Sequence, residues 1–139
     1  MRHERLTAAV FAAIAVTACF LGCGDGRPAL VPVTGTVTFD GKPIQGAEVM
    51  FMVKGGRPSR GETDAEGRFA LSTFEEGDGC APGAAQVVVQ KQSFHYNQQG
   101  EGITTFIIPQ RYGIPGRSGL DVEVIAGGEN DFSLELRSR

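Results

Sequence analysis

Val33-Thr34-Gly35-Thr36-Val37-Thr38-Phe39-Asp40-Gly41-Lys42-Pro43-Ile44-Gln45-Gly46-Ala47-Glu48-Val49-Met50-Phe51-Met52-Val53 is the stretch that decides the fold. Its period is two at both ends. Val33, Gly35, Val37 and Phe39 share one face, and three threonines share the other. Ala47, Val49, Phe51 and Val53 alternate in the same way. Successive side chains of a strand point to opposite faces, so each run reads as a half-buried strand of β-branched and aromatic residues. Between them, Asp40-Gly41 suits a positive φ and Pro43 limits further pairing, which is turn chemistry.

The same grammar continues in both directions. Lys54 to Arg60 is a flexible basic loop. Asp64-Ala65-Glu66-Gly67 predicts a tight turn, with the Asp64 carboxylate bonding the backbone ahead and Gly67 left-handed. Phe69 and Leu71 point inward from the strand that follows, and Glu75-Glu76-Gly77-Asp78-Gly79 reads as an exposed acidic turn. Cys80 sits in Gly79-Cys80-Ala81-Pro82-Gly83, also read as a turn, and a strong strand runs from Ala85 to Gln92. Residues 93–119 are the least regular, with Ile103–Ile108 expected as a short strand inside a long excursion. The chain closes with two alternating runs, Leu120–Ile125 and Asp131–Leu136, around Gly127-Gly128-Glu129-Asn130, which predicts a hairpin. No apolar repeat of 3.6 residues occurs after residue 22. Short strands punctuated by turns predict an all-β protein, a single antiparallel β-sandwich. In a chain of 139 residues the 20 glycines and 7 prolines are then turn punctuation.

The N-terminus has a different character. Met1 to Arg5 is basic on balance, and Leu6 to Leu21 is apolar apart from Thr7 and Thr17. This is the pattern of a secretory signal, short and rich in alanine for a transmembrane anchor. Phe20-Leu21-Gly22-Cys23 ends it and resembles a bacterial lipobox, in which the cysteine is diacylated and becomes the new N-terminus. Val16-Thr17-Ala18-Cys19 is the alternative site. Cys23 is preferred, because Gly24-Asp25-Gly26-Arg27-Pro28 follows it as a polar tether, whereas cleavage before Cys19 leaves Phe20-Leu21 at the start of the mature chain. The expected organisation is a lipoprotein signal at 1–22, a tether at 23–32 and one domain at 33–139. Acyl chains would then hold the protein on a membrane of a bacterial cell envelope, facing the periplasm or the exterior.

The run Val33 to Val49, with its central Gly35 and its Gly41-x-Pro43-x-x-Gly46-Ala47 turn, followed by Thr63-Asp64-x-x-Gly67-x-Phe69, resembles the carboxypeptidase regulatory-like domain. The resemblance implies a transthyretin-like, prealbumin-like sandwich of about seven strands. Ile108-Pro109-Gln110-Arg111-Tyr112, Ser118-Gly119-Leu120 and Asn130-Asp131-Phe132 are similar to small lipoproteins of planctomycete-type bacteria. In carboxypeptidases of this kind the similar domain stands beside a separate zinc catalytic domain, so the resemblance implies an accessory module without catalytic residues. The transthyretin-like fold also includes hydroxyisourate hydrolases, with several histidines and a C-terminal Tyr-Arg-Gly-Ser. This chain ends Leu136-Arg137-Ser138-Arg139.

The residues that carry chemistry are few. A net charge of -3 without a basic stripe argues against nucleic-acid binding. Of two histidines, His3 leaves with the signal and His95 remains. A zinc site needs three or four ligands at workable spacing, and Asp64 and Glu66 fall short of a calcium loop. Ser93 beside His95 lacks a nucleophile elbow. No catalytic residue, metal or cofactor is therefore expected. Phe94, Tyr96, Phe106 and Tyr112 form a concentration of aromatics, and Tyr96, Phe106 and Tyr112 are the candidate contacts for a ligand or partner. The expected function is a non-catalytic, lipid-anchored envelope protein whose sandwich serves interaction or structure. The alternative is a carbohydrate-binding module. The expected partners are the membrane, through the acyl anchor, and an envelope protein or a glycan.

Overall fold

A computed structural model describes residues 26–139, and residues 1–25, which include the expected signal segment, Cys19 and Cys23, lie outside the described residues. The described chain is all-β. Its strands are β1 (Thr34–Phe39), β2 (Lys42–Pro43), β3 (Glu48–Val53), β4 (Ser59–Glu62), β5 (Arg68–Ala70), β6 (Gly83–Gln90), β7 (Gln92–Tyr96), β8 (Gly102–Phe106), β9 (Val122–Val124) and β10 (Asp131–Leu136). One 3-10 turn, Gln110–Gly113, follows β8.

Two sheets face each other. In the first, β10 lies beside β1, and β5 and β2 pair with successive halves of the other edge of β1. The second has the order β4-β3-β6-β9. The sheets join where Arg60 and Ser72 exchange backbone hydrogen bonds of 2.9 and 2.8 Å. Alternation places Val33, Val37, Phe69, Leu134 and Leu136 inward from one sheet and Val49, Phe51, Val87 and Val89 inward from the other. Phe51 sits at the centre, with its ring 6.2 Å from Phe69 and 5.8 Å from Phe132.

Gly35 has a steric role. A Cβ there would lie 2.4 Å from the Phe132 carbonyl oxygen and 2.5 Å from the Phe69 ring. Only hydrogen lets β10 and the ring close over β1. Thr63 is buried and ties the turn before β3. Its hydroxyl donates to the Ile44 carbonyl (2.6 Å) and accepts the Ala47 N–H (2.9 Å). The Asp64–Gly67 turn forms as its sequence requires. The Asp64 carboxylate accepts the Glu66 and Arg68 N–H groups, and Gly67 has φ of 76°.

The expected hairpin at the C-terminus is not formed. β9 pairs antiparallel with β6, whereas β10 crosses to the other sheet and pairs parallel with β1 over six residues. The reason lies in Asn130. Its carboxamide accepts the Ile125 N–H (2.8 Å) and donates to the Ile125 carbonyl (3.0 Å), occupying the groups that a hairpin partner would use. The sandwich is thus antiparallel except where its first and last strands run together. Pairing also starts earlier than expected. Val31 and Cys80 form a backbone bridge (2.9 and 3.0 Å), so the tether ends before Val31. Cys80, expected in a turn, is a core residue that is 1% exposed.

The irregular excursion resolves into a ribbon. β7 and β8 pair only with each other, and all ten of their residues are exposed. The 3-10 turn then brings the chain back across the outer face of β6. Gly113 meets Gln90 and Gly116 approaches Gln86 on that face, and Val88 between them is buried.

Candidate interaction surface

The ribbon is held by a turn with the same construction as Asp64–Gly67. The Asn97 side-chain oxygen accepts the Gln99 and Glu101 N–H groups, each at 2.9 Å, and the Gly100 N–H reaches the Asn97 carbonyl at 3.0 Å. Gly100 has φ of 80°, the left-handed conformation that glycine takes without steric cost. The Asn97 amide also donates to the Glu101 carboxylate (2.8 Å). Asn97-Gln98-Gln99-Gly100 matches Asp64-Ala65-Glu66-Gly67 in the two positions that matter. β8 falls on the short strand expected at Ile103–Ile108, one residue earlier at its start and two at its end; the turn is the sequence signal for β7 and for its pairing with β8.

Register assigns the faces. Phe94 opposes Thr104, Tyr96 opposes Gly102 and Gln92 opposes Phe106. Directly opposed residues share a face, so Phe94, Tyr96 and Phe106 lie on the same side of the ribbon. They are 62%, 70% and 50% exposed. The Phe94 and Tyr96 rings meet edge to face, 5.2 Å apart at 81°. Phe94 leans over Gly102, where a Cβ would lie 2.7 Å from its ring. At the base of the ribbon a groove of about 310 Å³ is lined by Phe106, Ile108, Pro109, Ile114 and Lys91. Phe106 belongs to both, so the aromatic face runs into the groove. His95 lies exposed on the opposite face, with Ile103 across from it.

Tyr112 is not part of this surface. It is 7% exposed and packs into the sandwich core. Its hydroxyl accepts the Arg137 N–H (2.9 Å) and an Arg111 guanidinium N–H (3.1 Å), fastening the end of β10 to the 3-10 turn. The 3-10 turn is the point where the excursion re-enters the core, and Tyr112 is the side chain that enters with it.

The ribbon and the chain entry are at opposite ends. β6 begins at Gly83, close to the Val31–Cys80 bridge, and ends at Gln90, next to β7. Its eight residues span about 25 Å. At the entry end, Arg27 and Arg57 both lie over the Phe74 ring, at 5.0 and 5.4 Å. The acidic turn beside them is organised around Asp78, whose carboxylate accepts the Thr73, Phe74 and Glu75 N–H groups. Desolvation works against its charge, but these hydrogen bonds outweigh it and hold Asp78 below the ordinary aspartate value. The Cys80 thiol is pushed up by burial, which makes it a poor nucleophile. Among the described residues no group of three His, Cys, Asp or Glu side chains is placed to hold a metal ion. No helix of the described residues is long and apolar enough to cross a membrane.

No family model matches the chain, and no curated protein matches it. Among solved structures it is similar to the crystal structure of a 9R-lipoxygenase from Cyanothece PCC8801. Identity is 19% and the TM-score 0.39, over 78% of this chain and 16% of the other. The chain thus spans about a sixth of that structure's length, and a likeness of this size carries no statement about function.

Proposed function

We propose that the chain is a non-catalytic, lipid-anchored cell-envelope protein whose sandwich holds the β7–β8 ribbon away from the membrane as a protein-interaction surface. The observation that carries this reading is the apolar face of the ribbon. An isolated two-stranded ribbon is marginal in water. This one sets three aromatic side chains on one face, exposed by half or more, where water would disfavour them and a partner would cover them. The anchor at Cys23 rests on the lipobox resemblance, and an accessory role agrees with the resemblance to carboxypeptidase regulatory-like domains. With the tether at one end of the sandwich, the ribbon is the part that reaches furthest from the membrane.

A glycan is less well served by this geometry. Sugar rings stack on flat aromatic platforms, whereas Phe94 and Tyr96 are nearly perpendicular and Tyr112 is buried. The test is the native size of the membrane-extracted protein. The wild type is expected to migrate as a complex larger than its chain, and Phe94→Ser/Tyr96→Ser to migrate as a smaller species than the wild type. A wild type that migrates alone and is retained on a glycan array would overturn the reading in favour of the carbohydrate-binding alternative.

A further inference from the structure

The free edge of β8 specifies more than an apolar face does. In an antiparallel pair, directly opposed residues alternate between bonded and non-bonded pairs. The Asn97 N–H bonds the Glu101 carbonyl and the Ile107 N–H bonds the Lys91 carbonyl, each at 2.9 Å. Residues 101, 103, 105 and 107 therefore turn their backbone groups toward β7. Gly102, Thr104 and Phe106 turn theirs outward, to an edge that no other strand of the described residues occupies. Soluble proteins guard such edges with lysine, proline, bulges or inward charges. Gly102-Ile103-Thr104-Thr105-Phe106-Ile107 carries no charge and no proline, and β8 pairs in continuous register without a bulge. Its composition is that of a strand that pairs with copies of itself.

We infer that the ribbon pairs with the ribbon of a second copy of this chain, β8 against β8 in antiparallel register centred on Thr104, giving a four-stranded sheet. This deepens the interaction-surface reading and rests on it. The register follows from the outward groups. With Thr104 on the two-fold axis, Gly102 opposes Phe106 of the second copy, and the three outward residues become bonded pairs. Such an interface is isologous and closes on itself. Glu101, the single charged residue between Gln92 and Ile107, then faces Ile107 of the second copy, so no like charges meet. A two-fold axis normal to the sheet keeps both sets of Phe94, Tyr96 and Phe106 on one face, doubling the apolar platform.

The register can be read by cysteine cross-linking of the full chain in its membrane. Residues of a bonded pair have Cα atoms about 5.5 Å apart, within disulfide range. Thr105 and its mate are displaced by two residues, about 8 Å or more apart and beyond that range. Under mild oxidation Thr104→Cys is expected to give a disulfide dimer with at least ~10-fold the yield of Thr105→Cys. Buried Cys80 does not compete, and the unsubstituted chain reports any dimer formed through Cys23. Thr104→Lys places two like charges on the axis and is expected to abolish the dimer in extracted protein. Equal cross-linking of both variants, a ladder of higher multimers, or a dimer that survives Thr104→Lys would overturn the inference. Absence of a disulfide dimer in the Thr104→Cys variant, while the native complex persists and is lost in Phe94→Ser/Tyr96→Ser, would overturn the second copy as occupant and leave the interaction-surface reading standing.

Discussion

Gly35 shows how much one missing side chain can decide. It occupies an inward position of β1, where alternation calls for a bulky residue, and the Phe69 ring fills the space instead. Gly35→Ala forces either the ring or β10 to move. Overpacking of this kind costs about 3 kcal/mol, and denaturant unfolding of the variant is expected to show a loss of that order. Asp78 makes a second statement at this scale. Its folded value lies below the ordinary 3.8, so the folded chain keeps the carboxylate charged where the unfolded chain binds a proton. The resulting stability is present above 3.8 and is lost as pH falls through the depressed value. Asp78→Asn is expected to lower stability at neutral pH and to flatten the acid limb of a stability–pH curve. An unchanged acid limb would mean that the three N–H bonds at Asp78 do not set its charge. The sequence placed Asp78 in an exposed acidic turn. Three of that turn's backbone donors converge on Asp78 alone, and composition could not separate it from Glu75 and Glu76.

At the scale of elements, legibility follows burial. β1, β3 and β5 are half-buried, and their alternation was readable residue by residue; β6, buried on both faces at Val87–Val89, was readable from its β-branched run. The C-terminal runs were equally readable as strands. Their pairing was not, because the side chain of Asn130 diverts the connection, and no period records a single amide. The ribbon was hidden for the opposite reason. Both of its faces are exposed, so burial imposes no alternation on it; the apolar run Ile103–Ile108 marked the place of β8, and the Asx-x-x-Gly turn was the guide to its partner β7. That turn is also its weak point. Asn97→Ala removes two backbone-to-side-chain bonds and the Glu101 contact. The expected result is faster amide exchange at Ile103 and Thr105 with β6 unaffected, since local opening needs far less free energy than unfolding the core. Exchange that rises equally in β6 would show that the ribbon belongs to the cooperative unit of the sandwich.

On the scale of the whole molecule, the two ends of the sandwich are built differently. One end receives the incoming chain, which pairs at Val31 and sets Arg27 over Phe74. The other projects the ribbon. The aromatic concentration was visible in the sequence, and the structure divides it into an exposed trio, Phe94, Tyr96 and Phe106, and a buried clamp, Tyr112. That division supplies a direct measurement. The chain has two tyrosines, one 70% and one 7% exposed. Tyrosine nitration of the purified, detergent-dispersed chain is expected to modify Tyr96 and spare Tyr112. In the native membrane, where the proposed partner would cover the aromatic face that edge pairing leaves open, Tyr96 is expected to be protected at least ~10-fold, as for a side chain in the desolvated centre of an interface. Nitration of Tyr96 at the same rate in both states would contradict the account, because the ribbon would then stand uncovered in the setting where it is proposed to act.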